Sequence, residues 1–445
     1  MFKYFPHTEA DLRAMEEKIG IRSVSELFTD IPKEAALRGE YDIPSAQSEI
    51  ELRKTLQALA AKNQTKIVFA GMGSYDHYQP AVIPQLLSRE EFLTAYTPYQ
   101  PEISQGTLQY IFEFQSMVTM MTGMEAANAS MYDGATAAAE AMFMAAAISK
   151  RDTFLVSETV SPRILSVLQT YAHFKGLNVE TVAMREGITD FADLKERLGD
   201  RVAGLLVQKP NFFGITEDYA GYADLLHENG SVFLEYADLS ALAVLKTPGE
   251  EGADIACGDC QTLGMPMAFG GPYLGYLATK KVHVRKLPGR IVGQSFDKNG
   301  KRAYVLTLQA REQHIRREKA NSNICSNQSL MALYVTIYTS LLGPEGLKKV
   351  NELSYAGAHY LHDRLLATKK FFPAFPQPFL KEFVLRTTLS TETVQKALSD
   401  AGFFGAVPVR EWDPGQGVLV DFAVTENRSK AEIDRLVAVL GGLSC

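Results

Sequence analysis

With 445 residues, 46% of them hydrophobic and 22% charged, the chain can bury a large core and is expected to hold more than one domain or subdomain. Its net charge of -7 excludes a general nucleic-acid binder, whose footprint would be basic, and no apolar run reaches the roughly 20 residues needed to span a bilayer. Four cysteines make no disulfide scaffold, and the start MFKYFPHTEADL lacks an apolar signal core, so the chain is expected in the cytoplasm with its thiols reduced.

The first 65 residues read as a helical arm: EADLRAMEEKIG, SVSELFTDIP and SAQSEIELRKTLQALAAKN, the last with Ser45 or Ser48 as N-cap and Leu52, Leu56 and Leu59 along one face. Lys66–Ala70 is strand-like and leads into the loop GMGSYDHYQPAVIP, where Gly71 and Gly73 permit turns that other residues resist. TLQYIFEFQSMVTMMTG is apolar all round, the pattern of a helix buried on most sides. Strand-like runs at Thr153–Ser157, Val179–Ala183, Ala203–Gln208, Ser231–Tyr236 and Asp254–Cys257 alternate with helical stretches, which predicts βαβ units and a mainly parallel sheet covered on both faces. The stretch Lys280–Lys319 breaks the rhythm with 12 Lys or Arg against 3 Asp or Glu. Helical patterns follow at Ser326–Leu342 and Pro344–Lys369, then strand, helix, strand, helix. The expected organisation is α/β: an arm (1–65), a large domain (66–342) and a small C-terminal α/β domain (343–445).

Several stretches could carry chemistry. GADIACGDCQTLGMPMAFGGPYLGY, Gly252–Tyr276, ends a short apolar run in small polar residues and turns into a second run. In α/β enzymes that use pyridoxal phosphate (PLP), a lysine waits at such a place, but Gln261 and Thr262 carry no amine; either the scaffold is of another kind or a partner chain carries the lysine. The turn Asn128–Thr136, with Asp133 and Gly134, precedes an alanine-rich helix and reads either as an anion site at a helix N-terminus or as an ordinary N-cap by Asp133. YTPYQPEISQ, Tyr96–Gln105, is either a stiffened site wall or a rigid surface connection. Glu235 and Asp238, at the C-terminal end of a strand, could pair with a pyridinium nitrogen or cap the next helix. Cys257 and Cys260 form a C-x-x-C without two further ligands, which reads as two small buried residues. The run Arg311–Gln328 joins cations to amides and hydroxyls, as a binding edge or a solvated helix. No histidine, His173 and His227 included, sits in a recognisable triad.

At YTPYQPEISQG, NASMYDGATAAAEAM, Cys260–Gly275 and HIRREKANSNIC, in that order, the chain resembles the glycine decarboxylase family, the P-protein of the glycine cleavage system, and most closely subunit 1 of its two-subunit form. It departs from the family pattern at Cys257, Cys260 and Asn321. The resemblance implies a type I PLP fold and a reaction in which glycine condenses with PLP, the ring takes up electrons as carbon dioxide leaves, and the aminomethyl group passes to the lipoyl arm of H-protein. It further implies that the Schiff-base lysine and the covalently held PLP belong to subunit 2, that this chain alone is inactive, and that the active site is completed between subunits. Tyr96, Thr97, Tyr99 and Gln100 are then expected to line the glycine and lipoyl channel. Asn321, Ser322 and Asn323 are expected to reach the partner's cofactor phosphate, and Asp133, Gly134, Asp238, Gln261 and Thr262 to mark a vestigial pocket. The alternatives are a self-sufficient PLP enzyme using another lysine, with Lys209 the best placed, or a noncatalytic scaffold or regulatory subunit. No metal, nucleic-acid or membrane partner is expected.

Overall fold

The structure is a computed structural model that describes residues 4, 6–35, 39–93, 97–320, 322, 324, 326–409 and 418–444. By internal contacts the chain divides into Met1–Thr65 and Lys66–Cys445. The first unit is three short elements: helix α1 (Glu9–Ile19), a 3-10 turn (Val24–Phe28) and helix α2 (Glu49–Ala60). Thr8 and Ser48 cap the two helices with reciprocal bonds to Asp11 and Glu51, which fixes where they start. None of the three elements buries a residue, and Leu52, Leu56 and Leu59 all face water. Helices this short are marginal in water without tertiary packing.

The second unit is built on a seven-stranded sheet. Its strands are β1 (Ala126–Ala127), β2 (Thr153–Ser157), β3 (Asn178–Val182), β4 (Val202–Lys209), β5 (Val232–Ala237), β6 (Ile255–Asp259) and β7 (Gly275–Thr279), in the spatial order β1-β7-β6-β5-β4-β2-β3. The pairings among β2 to β6 are parallel, and only β7 runs against its neighbours β6 and β1. The inner parallel strands read as near-continuous apolar runs because both faces are covered, whereas β3, at the edge, leaves Asn178, Glu180 and Thr181 exposed. One face packs beneath helix α3 (Gln105–Thr122), the other beneath helix α4 (Gly134–Ser149), whose alanines let it lie close to the sheet.

After β3 the chain returns to the far side of β2 to form β4, so the strand order reverses there, and the carboxyl ends of the strands open a crevice of the kind in which open α/β sheets hold ligands. A hairpin, Ile291–Phe296 with Arg302–Thr307, follows β7. The helical run Ser329–Ala367 is two helices joined at Gly343, whose φ of 58° a side-chain-bearing residue resists, next to Pro344, which has no N–H to continue the ladder. A four-stranded antiparallel sheet then closes the chain, with Glu382–Thr387 and Val418–Ala423 at its centre and a separate aromatic-rich core. Among the described residues no helix is long and apolar enough to cross a membrane.

Candidate functional site

Helix α4 begins as its sequence dictates. Asp133 accepts from Thr136 N at 2.8 Å, and Thr136 Oγ1 accepts from Asp133 N at 3.2 Å, a capping box that satisfies two orphan groups of the first turn. The next donor, Gly134 N, is met at 3.0 Å by the Asp259 carboxylate from the end of β6. Asp259 accepts also from Gln261 N at 2.8 Å. The place at the helix N-terminus that favours an anion is thus taken by a carboxyl of the protein itself. Burial pushes the Asp259 carboxyl up to about 7, with Asp133 and Asp238 adding repulsion against the pull of the two backbone donors. A Cβ on Gly134 would collide with the Tyr236 hydroxyl and the Asp259 side chain, so the wall is already closed over this end of the helix.

The cavity in front of it holds about 200 Å3, lined among others by Asp133, Gly134, Arg163, Tyr236, Asp259 and Glu382. That falls short of the roughly 300–1,000 Å3 usual for a small-molecule pocket. Asp133 and Gly134 line it; Asp238, Gln261 and Thr262 do not. Those three are committed elsewhere. Gln261 is fully buried, its carbonyl accepting from Tyr75 N at 2.9 Å and its amide donating to the carbonyls of Tyr75 at 2.7 Å and Met265 at 2.8 Å. The Thr262 hydroxyl donates to Asp238 at 2.5 Å.

Asp238 does what a capping residue does, accepting from Ser240 N at 2.9 Å, and also what a charge partner does: its other oxygen lies 2.7 Å from Lys381 Nζ, with the lysine side chain 2% exposed. Burial works to raise the Asp238 carboxyl, but the Lys381 ammonium and the Thr262 hydroxyl outweigh it and hold it below the usual carboxylate range. Lys381 also sits 4.4 Å from the centre of the Tyr75 ring and donates to His77 Nε2 at 3.3 Å. That leaves His77 Nδ1–H to donate to Glu426 at 2.7 Å. The neighbouring Glu382 accepts from the Tyr75 hydroxyl at 2.7 Å and from Met72 N. Asp421 accepts from Gly71 N at 3.1 Å. Burial raises both of these carboxyls, and the pair is stable when it shares a proton. Lys381 and Glu382 therefore tie the C-terminal sheet to the loop 71–78 and to the end of β5 through buried polar bonds.

These residues do not fit PLP. The pyridinium place beside Asp238 holds Lys381, the phosphate place at the start of α4 holds Asp259, and among the described residues no lysine lines the cavity. Lys209, at the end of β4, is 4% exposed and bonded to Glu251 at 2.6 Å, with Glu235 buried alongside; burial and the Glu251 charge push the Glu235 carboxyl well up. Glu235 therefore serves a buried charge cluster. Cys257 and Cys260 are buried free thiols whose ionisation burial disfavours, and among the described residues no cluster could hold a metal ion.

A second group of candidate residues points outward. Tyr96 lies outside the described residues. Thr97 is partly buried, and Tyr99 and Gln100 are exposed on a segment pinned by Gln105, which donates to the Pro101 carbonyl at 2.7 Å and exchanges two bonds with the Tyr304 backbone, both at 2.9 Å. Asn321 and Asn323 also lie outside the described residues, whereas Ser322 is described and donates to Glu140 at 2.8 Å. Glu140 is the lone acid in the alanine-rich α4, and burial lifts its carboxyl to about 7 despite the Ser322 bond. A cavity of about 400 Å3 opens beside this pair, lined also by Phe143, Tyr171, Lys175 and Arg317.

Sequence reasoning missed Lys381, Asp259 and Glu140. For Glu140 a signal existed, since a single carboxylate among alanines asks for a partner; Asp259 ends the run IACG and Lys381 interrupts the run FLKEFVL, and what each meets depends on distant parts of the chain.

The family model for the glycine cleavage system P-protein matches residues 2–440. The chain is 46% identical over 445 residues to the probable glycine dehydrogenase (decarboxylating) subunit 1 of Desulforamulus reducens, covering 99% of this chain and 100% of the relative. It is 48% identical over 440 residues to the like-named protein of Moorella thermoacetica, covering 99% of each. It superposes with a TM-score of 0.91, at 44% identity and over 99% of both chains, on the crystal structure of a glycine decarboxylase (P-protein) of the glycine cleavage system in inhibitor-bound form. The fold alone is shared with the glutamate decarboxylase of Lactobacillus brevis, at 11% identity, a TM-score of 0.70 and coverage of 93% of this chain and 97% of that one. The mainly parallel sheet is that of the type I PLP-dependent enzymes, and the chain belongs to the glycine cleavage system P-protein family.

Proposed function

We propose that this chain is subunit 1 of a heteromeric, cytoplasmic glycine dehydrogenase (decarboxylating), and that it carries the fold of a PLP enzyme without loading the cofactor itself. The carrying observation is the occupied pocket: Lys381 on Asp238 and Asp259 at the start of α4 take the two charged places a cofactor would need, and Gln261 and Thr262 offer no amine. The PLP and its lysine are assigned to subunit 2, and the aminomethyl group is passed to the lipoyl arm of H-protein. In this reading Tyr96, Thr97, Tyr99 and Gln100 form this chain's wall of the glycine and lipoyl channel. Asn321, Ser322 and Asn323 approach the partner's cofactor phosphate, and Glu140 holds Ser322 in place. In the same reading the chain is organised as an arm (1–65), a large domain (66–342) that carries these outward segments, and a small domain (343–445).

The test is to incubate the purified chain with PLP, reduce with borohydride, and map any trapped pyridoxyl-lysine. No trapping on the chain alone, with glycine–bicarbonate exchange appearing when subunit 2 is added, is the expected result. Trapping at Lys209, Lys381 or any other lysine of this chain would establish a self-sufficient cofactor site and end the proposal. Exchange that is indifferent to changes at Tyr99 and Gln100 would reduce the chain to a scaffold.

A further inference from the structure

Tyr99 is 53% exposed, yet the group that holds it is among the most deeply buried charges of the chain, Arg290 at 3%. The Arg290 guanidinium lies 5.0 Å from the centre of the Tyr99 ring, and Nη2 donates to the Tyr99 hydroxyl at 3.1 Å. Arg290 is itself fixed. Its carbonyl accepts from Ala129 N at 2.8 Å, and the Asn128 amide holds the nearby Pro288 carbonyl at 3.0 Å. The Glu312 carboxylate faces Arg290 Nε at 3.8 Å and His314 at 3.5 Å, and the His314 ring meets Tyr99 edge-on at 6.1 Å.

Burying a guanidinium costs desolvation, which the Glu312 carboxylate offsets in part, whereas an aliphatic side chain would support the ring without that cost. The guanidinium contributes something else: it lies against the ring while its Nη2 donates to the hydroxyl, so that both the tilt of the ring and the place of the hydroxyl are set. A phenol that is half-exposed and held in this way is suited to act on something outside this chain. We propose that Arg290 is a positioning residue for the active site completed with the partner subunit: it holds the Tyr99 ring and hydroxyl in the orientation that meets the substrate channel. The inference rests on the reading that Tyr99 lines that channel.

The two-subunit enzyme is reconstituted from this chain, subunit 2 and PLP, with Tyr99→Ala, Arg290→Lys, Arg290→Met or the double variant Tyr99→Ala/Arg290→Lys. Cofactor occupancy and the fraction of assembled enzyme are measured alongside kcat and KM. Each single change is expected to lower kcat about three- to tenfold at unchanged occupancy and assembly, and the double variant to fall no lower than Tyr99→Ala alone. A purely structural role would instead lower the assembled fraction and leave the kcat of what assembles. Should Arg290→Met fail to fold because Glu312 loses its counter-charge, Arg290→Lys, which keeps the charge and loses the planar contact, carries the test. Effects that multiply in the double variant overturn the inference. Full kcat in Arg290→Lys with an impaired Tyr99→Ala also overturns it while leaving Tyr99 in the channel. Full activity in Tyr99→Ala removes the underlying reading and the inference with it.

Discussion

The crevice around Asp238 and the outward segment around Tyr99 are both built from charged and aromatic side chains, and both use a buried cation beside a tyrosine. In the crevice Lys381 lies over Tyr75 and bonds Asp238, and nearly every polar group there has found a partner inside the chain. At the outward segment Arg290 lies against Tyr99, but the ring it steadies is exposed. The same device therefore closes one site and presents the other. In the function we propose, the crevice serves stability and the outward segment serves the reaction with a partner subunit.

If that contrast is right, changing the crevice should cost stability and changing the segment should cost activity. The largest effect is expected from Lys381→Met, which leaves Asp238 charged and unpaired: a loss of about 3–5 kcal/mol in urea unfolding, largely recovered in the Lys381→Met/Asp238→Asn double variant. A loss under about 1 kcal/mol would mean that water reaches Asp238 freely and that the crevice is open. The crevice should also show in the pH dependence. Asp259 holds its proton to about 7 in the folded chain against an ordinary value of 3.8, so the unfolded chain binds fewer protons between those values. Stability from this group is greatest below pH 3.8 and is lost as pH rises toward 7. Asp259→Asn should remove that slope in thermal melts between acid and neutral pH. For Tyr99→Phe the signs reverse: stability should stay within about 0.5 kcal/mol while the reconstituted enzyme slows about threefold, because the residue is half-exposed and the change removes the hydroxyl that Arg290 directs.

Local pattern and motif resemblance gave two different kinds of access to this molecule. The strands at 153–157, 202–209 and 232–237 lie within a residue or so of their apolar runs, since strand period and turn residues are local signals, and the Asp133 cap is visible for the same reason. The crevice was not legible in this way. Asp238 and Lys381 come together through the packing of two sheets, and Lys381 and Glu382 look in the sequence like two charges at the edge of a strand. Arg290 was hidden inside a basic stretch most of whose other members face water, so composition pointed to a solvated patch where one residue is in fact buried. The absence of a lysine at Gln261 and Thr262 could be read directly, but what replaces the cofactor could not, because that depends on which distant side chains fold into the space.

That basic stretch gives the smallest expected effect and the one most sensitive to conditions. Lys298, Lys301, Arg302, Arg316, Arg317 and Lys319 are exposed, and the described residues include only a few acids near them in sequence, so they raise the local potential on a chain whose net charge is -7. An acidic lipoylated H-protein would be drawn toward them over a distance set by screening, about 10 Å at 0.1 M salt. Steering of this kind acts on encounter more than on the bound geometry, so KM for H-protein should rise about two- to fivefold between low and moderately high salt while kcat holds. Charge reversal at Lys301 and Arg302 should flatten that dependence without changing cofactor occupancy. A KM that ignores salt in the unaltered enzyme would place the docking surface elsewhere.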